Sequence, residues 1–589
     1  MKSVWVLCLA LCICMIVQAG NYRKREVSHP CFIAANTSKI EIKKIVLSNE
    51  QTQVDAVLYG KPGEAAVISS NTCLRSAQQE FALREAEGVS IDGQALPEQI
   101  PSSGEHHITL SFAPIPAGVH TVDFVEKDEG WTIWGIQLSG AEPYVFVPSF
   151  LKTEKVERAI SLPEPKLKSG KAIVNGYILG YDSRMDVDVV FRHSDWLLYN
   201  DWGKTIKVRQ DGSFHIEVDL LLAGGARLQI NKAQLDLFLV PGTELTVYVH
   251  LPRLSMSASR LLKRIYAGKR KAWFDGGEAA LNTELAMWGY PLSVASLPGS
   301  EDKMADMPKE KYIDYVQSMQ EKLESQLLND KRVGEAYRKY VSINLKMNTL
   351  VLLGDRGRSP ELMEFPYCRY GYDYVSYLQL LEQNNMNIPD IWEEIKKTRI
   401  VYQNVIKEQC LKSVDKKLLN SIGEAELYSY VKHKIKVLQA ISERAQASKS
   451  YVIAELDTLV SGADILPAII SKHRGSAVLV DFWATWCGPC RKSMHAIRPL
   501  KEKLSGKDIV YIYVTGPSSP EDIWNVAITE INGVHYRLTK EQWNYLCKTY
   551  GIKGIPGYLV ISYDGKLQDR YVGFPGVDVL QKDLLRAME

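Results

Sequence analysis

Ala477-Val478-Leu479-Val480 is an unbroken apolar run that leads through Asp481-Phe482-Trp483-Ala484-Thr485-Trp486 into Cys487-Gly488-Pro489-Cys490, and then into a helical apolar pattern through Ile497 and Leu504. A short apolar run bounded in this way reads as a strand buried on both faces. The sequence therefore sets a C-x-x-C pair where a strand hands over to a helix. There the first thiol meets backbone N–H groups with no helical partner and the positive end of the helix dipole. Both favour the thiolate, the form that attacks disulfides. The plainer alternatives are a structural disulfide or half of a zinc site. No second C-x-x-C and no Cys/His pair lies at zinc spacing, so the redox reading is preferred and no metal is expected.

The rest of the chain is long. At 589 residues the expectation is three or four domains, and an apolar fraction of 46% with 24% charged residues gives each of them enough side chain for a core. Lys and Arg (71) nearly cancel Asp and Glu (69) and no long basic run occurs, which disfavours nucleic acid and anionic lipid as partners. Lys2 precedes an apolar run over 4–17 that ends at Val17-Gln18-Ala19. Shorter than the roughly 20 residues of a membrane-spanning helix, it reads as a signal peptide over 1–19, and hence as export. Leu11 before Cys12 and Ile13 before Cys14 are not the small residues that precede a lipidated cysteine, so lipidation is the minor reading.

Periodicity divides the remainder. Short alternating runs over 20–142, such as Ile108, Leu110 and Phe112, predict a β-domain. Residues 143–170, with several prolines and lysines, read as a linker. Over 171–252 a second, small β-sandwich is expected, with Asp211-Gly212 as a tight hairpin turn and Pro241-Gly242 between two further alternating runs. The period then changes: Tyr312, Val316, Met319, Leu323 and Leu327 recur at helical spacing, so 253–449 is read as an α-helical region without chemistry of its own. Residues 450–589 form the last domain, α/β in class.

At this point VDFWATWCGPC resembles the thioredoxin superfamily, and its secreted TlpA/ResA-like branch in particular. Gly554-Ile555-Pro556 resembles the family's cis-proline loop, Tyr563-Asp564-Gly565-Lys566 its final hairpin, and Tyr571-Val572-Gly573 the strand facing the active site. The β, helical and redox layout is similar to long TlpA-like proteins of Gram-negative bacteria such as the Bacteroidota, which implies a periplasmic, envelope address. The resemblance implies a thioredoxin-like fold and a protein thiol-disulfide oxidoreductase needing no diffusible cofactor. It implies Cys487 as nucleophile, Cys490 as resolving thiol and Asp481 as the buried acid that moves its proton. Pro556 is then cis and, with Ile555, lines the client groove. Trp486 covers the pair, Trp483 packs beneath, and Gly488-Pro489 resembles the dipeptide of reducing members. Client proteins with disulfides and a membrane thiol donor are the implied partners. Two departures stand out: Gly557 occupies a position where many relatives have threonine, and His495 one where thioredoxin has a kinking proline, with Pro499 as its substitute. The stretch 517–538 is longer than in plain thioredoxin.

Alternatives stay open. Asp481 also fits an exposed strand end, Pro556 an ordinary trans turn, and either tryptophan plain core. An oxidase or isomerase is the second enzymatic reading. A peroxidase would need proline at Val480 and threonine at Ala484, and neither is present. A binding or scaffold protein with an accessory redox domain is the reading from another class. In an oxidising compartment Cys31 with Cys73, and Cys368 with Cys410, fit disulfides; buried small side chains fit them equally. Cys547 reads as buried in a helix, and His106, His107, His473, His495 and His535 as isolated. Neither an oligomeric state nor a client follows from the sequence.

Overall fold

The computed structural model describes residues 24–353, 378–379, 382 and 389–588, apart from 78, 94–97, 128–130, 152–156, 165, 186, 196–199, 298–303, 305–306, 408–415, 449–450 and 520. The signal-peptide reading of 1–19 and the cysteines Cys368 and Cys410 lie outside the described residues. The chain divides into two compact units, one taking most residues up to 373, the other 374 onward together with 167–170 and 193–203.

In the first unit the N-terminal strands form one nine-stranded sheet, with Ile40–Leu47, Thr52–Tyr59 and Glu105–Phe112 adjacent and antiparallel in one half of it. Alternation sends Ile45, Val54, Leu110 and Phe112 into a core that Phe124 and Ile133 close. Phe112 and Phe124 meet edge to face at 6.3 Å. Cys31 and Cys73 are buried and unbridged, and the Cys31 sulfur lies 3.3 Å from the Tyr266 hydroxyl. Of their two readings, the structure takes the buried small side chain.

The second β-domain is a sandwich of two four-stranded sheets. Ser213–Leu220, Gly170–Leu179, Glu244–His250 and Ala272–Gly276 form one, and Asn200–Thr205, Val189–Asp195, Gly224–Ile230 and Ala233–Leu239 the other. Val174, Phe214 and Val247 face Phe191, Leu228 and Leu237 across the core. A side chain at Gly176 would sit 1.8 Å from the Phe214 ring, so only glycine fits there. The turn at Asp211-Gly212 is corrected in one respect. Gly212 takes φ +79° and the Asp211 carboxylate accepts from Ser213 N, as the dipeptide predicts, yet the strands on either side lie in opposite sheets. Pro241-Gly242 crosses between sheets in the same way, from Ala233–Leu239 to Glu244–His250.

The span 253–449 holds long helices, Lys309–Asn329, Glu335–Leu353, Ile391–Lys407 and Ala425–Ser448. It is not purely helical: Ala272–Gly276 pairs antiparallel with Glu244–His250 and completes a sandwich sheet. Five residues are too few to declare alternation against a helical background. Among the described residues no helix is long and apolar enough to cross a membrane.

The C-terminal domain is built on a six-stranded sheet in the order Tyr451–Ile453, Gly533–Arg537, Ile509–Thr515, Ala477–Phe482, Gly557–Ile561, Leu567–Val572. The first four run parallel and the last two antiparallel to their neighbours. Every residue of Ala477–Phe482 is buried, as an apolar central strand requires. Val478, Val480 and Phe482 pack with Ile469, Ile512 and Leu546 on one face, while Ala477 and Leu479 pack under Ile497, Leu500, Leu580 and Leu584 on the other. Asp481 shares the second face by the two-residue period. That is the face of the helix Gly488–Lys503.

Candidate active site

Cys487 caps the helix Gly488–Lys503, with extended backbone and Pro489 in the first turn. Its sulfur accepts the N–H of Cys490 at 3.1 Å, and the two sulfurs are joined in a disulfide with Cα atoms 5.3 Å apart. A helix N-terminus supplies such donors without any cationic side chain. Around the pair Trp483, Ala484, Tyr513, Trp524, Ala527 and Ile528 form one apolar cluster, with Ile555 packed against it. Trp486 is 64% exposed while Cys487 is 2% exposed. The indole of Trp486 therefore projects to solvent, and it is Trp483 that lies under the sulfurs. Pro489 is exposed and Gly488 opens the helix.

Asp481 is buried and neither carboxylate oxygen has a hydrogen-bond partner among the described residues. Burial drives its pKa well above the ordinary carboxylate range, against a smaller opposing pull from Lys501. A carboxyl raised in this way is a stronger base than an ordinary carboxylate and is suited to exchanging a proton with a neighbouring thiol. On its sheet Asp481 is flanked by Tyr513 on one side and Tyr558 on the other. Tyr558 donates to Ser493 Oγ at 2.6 Å, and Ser493 donates to the carbonyl of Cys490 at 2.8 Å. A hydrogen-bonded path thus runs from Tyr558, beside the acid, to the main-chain carbonyl of Cys490.

The Lys501 ammonium lies 4.4 Å from the Tyr511 ring and 4.8 Å from the Tyr513 ring, and donates to the Asn532 carbonyl. Burial lowers its pKa to about 8. None of Ser493, Lys501, Tyr513 or Tyr558 was anticipated. Lys501 carried a signal, because it falls four residues after the buried Ile497, on the stripe of the helix that faces the sheet.

The Ile555–Pro556 peptide is cis, and the Pro556 carbonyl accepts from Gly573 N at 2.8 Å, tying the proline loop to the strand Leu567–Val572. Gly557 has a local cause: a side chain there would meet Ile552 Cγ2 at 2.7 Å. Cys547 is partly buried in the helix Lys540–Thr549, with its thiol pushed up to about 11 by burial. Among the described residues no cluster of His, Cys, Asp or Glu could hold a metal.

Residues 463–584 match the Redoxin family. This domain belongs to the thioredoxin superfamily. Among curated relatives, the thiol-disulfide oxidoreductase ResA of Bacillus thuringiensis (strain Al Hakam) is 26% identical over 100 residues, 17% of this chain and 57% of that protein. The thioredoxin of Chlorobaculum thiosulfatiphilum is 32% identical over 97 residues, 16% of this chain and 66% of that protein. The chain thus spans only 57% of the ResA protein's length, and each alignment covers a small share of its own. Among solved structures, a thiol:disulfide interchange protein, thioredoxin family protein, from Chlorobium tepidum TLS is 20% identical, covering 20% of this chain and 85% of that one with a TM-score of 0.18.

Proposed function

We propose that this chain is a thiol-disulfide oxidoreductase of the cell envelope that reduces disulfides in client proteins, without a diffusible cofactor. The carrying observation is the Cys487 sulfur at the N-terminus of its helix, already accepting the Cys490 amide. In the reduced protein the Cys487 thiolate attacks one sulfur of a client disulfide, forming a mixed disulfide and expelling the other client sulfur as a thiolate. Cys490 loses its proton towards Asp481 and attacks Cys487 Sγ, which expels the second client sulfur and restores the 487–490 disulfide. Two electrons pass to the client, and a membrane thiol donor returns them. Gly488-Pro489 and the absence of a histidine between the cysteines support the reducing direction. Pro556 and Ile555 line the groove in which a client strand pairs, with Trp486 at its rim. Secretion into the periplasm accords with the apolar N-terminus.

The full chain reduces insulin with dithiothreitol as donor, and Cys487→Ser abolishes the reaction; full activity in that variant overturns the assignment. A reduction potential nearer about −270 mV supports the reducing direction, whereas one near about −120 mV makes the protein an oxidase.

A second reading, client capture by the N-terminal half, draws on Tyr144, Phe146 and Phe150, which are 90%, 70% and 64% exposed within one short stretch. Replacing all three with serine in the full chain then lowers recovery of envelope proteins in a pull-down; unchanged recovery counts against it.

A further inference from the structure

A nucleophile that must meet a foreign sulfur in line is expected to be open, yet Cys487 is 2% exposed. Part of the cover comes from the stretch 521–531. Its helix Glu521–Ala527 and turn Ile528–Glu530 bring Trp524, Ala527 and Ile528 into the cluster that holds both sulfurs. Trp524 is itself 4% exposed. Its indole N–H has no acceptor among the described residues, so a donor lies unmatched beside the sulfurs.

This cover is not a loose loop. At its base Ser519 Oγ accepts from Thr485 N at 3.0 Å, and the Ser519 carbonyl accepts from Arg537 Nε at 3.2 Å. At its end the Ile531 carbonyl accepts from the His535 ring at 2.8 Å. Behind it, Ile391–Lys407 packs against Glu521–Ala527, Ala425–Ser448 packs against Ile528–Glu530, and the two long helices pack on each other. These helices carry none of the redox chemistry. Buried Trp392, Ile395, Leu427 and Val431 make them a stiff backing. Trp486, next to Cys487 in the chain, stands exposed.

We propose that the braced stretch 521–531, with Trp524 at its centre, determines which disulfides reach Cys487, admitting those on slender or unfolded segments and excluding those flanked by folded surface. Trp524 acts here as a specificity-determining residue for the exchange written above, and the inference rests on that reading. The two long helices then serve to hold the wall against the sulfurs.

The test uses the full chain, reduced, with hydroxyethyl disulfide as the small probe and insulin as the large one. Trp524→Ala is expected to raise the ratio of the insulin rate constant to the hydroxyethyl disulfide rate constant at least about tenfold, equivalent to about 1.4 kcal/mol. Trp524→Phe, which keeps an aromatic wall, is expected to stay within about threefold of the parent. An unchanged ratio in Trp524→Ala overturns the proposal. Failure of the parent to reduce even hydroxyethyl disulfide overturns the oxidoreductase reading instead. Should Trp524→Ala not fold, the parent still decides: its reduced Cys487 is expected to discriminate against a polyethylene-glycol maleimide relative to N-ethylmaleimide at least about tenfold more than a cysteine in an unfolded peptide does. Equal discrimination overturns the wall.

Discussion

Acidification is expected to weaken the redox domain through one ring, that of His535. The side chain is fully buried, stacks on Tyr513 with centroids 5.0 Å apart, and offers its Nε2–H to the Ile531 carbonyl, which fixes the tautomer. Its Nδ1 has no partner among the described residues, so a second proton would be buried and unpaired. Burial holds the ring's pKa down at about 4. In the unfolded chain it is about 6.5. The unfolded state therefore binds more protons between these values, and stability falls as pH drops from about 6.5 to about 4. The full loss is about 3 kcal/mol, with about 2 kcal/mol gone by pH ~5. His535→Phe keeps the stack but cannot titrate, and gives up the Ile531 bond at about 1 kcal/mol. The two proteins' stabilities should cross: the parent is more stable at pH ~7 and the variant at pH ~5. Calorimetry of the full chain reads this in the transition that shifts when the 487–490 disulfide is reduced. Parallel pH dependences for the two proteins, or an NMR titration of His535 near pH ~6.5, would refute the reasoning.

Asp481→Asn keeps the shape of the carboxyl but cannot shuttle a proton, so resolution of the mixed disulfide slows about 100-fold at neutral pH in single-turnover quench experiments, while formation of the mixed disulfide changes far less. The same substitution removes a buried group whose raised pKa makes folding less favourable as pH climbs above the ordinary carboxylate range; the variant's stability, read by urea titration, should no longer decline there. Gly557→Thr drives its Cβ towards Ile552 Cγ2, now 2.7 Å from where that atom would stand, and costs about 1–3 kcal/mol by the same titration.

The cysteine pair, its strand and its helix were legible because a fully buried strand and a helix start leave unmistakable patterns within about twenty residues. The acid could be placed on the helix-facing side by counting from Ala477. Its surroundings could not, since Tyr513 and Tyr558 reach Asp481 through strand pairing that brings together residues far apart in sequence. The same gap explains the β-sandwich: Asp211-Gly212 announces a reversal, but nothing local tells whether the next strand pairs with the last one or crosses to the opposite sheet. Ala272–Gly276 was hidden by its brevity among helices. The length of 517–538 was visible as an excess over plain thioredoxin, whereas the packing of 521–530 depends on helices far earlier in the chain.

The acidity of Cys487 in the reduced protein decides whether it can act as the nucleophile. Following thiolate absorbance near 240 nm against pH in the full chain, with Cys487→Ser as the blank, should give a pKa clearly below the ~8.5 of an unperturbed cysteine. A value at or above ~8.5 would mean that the helix terminus does not hold the thiolate, and would contradict the assignment of Cys487 as the nucleophile.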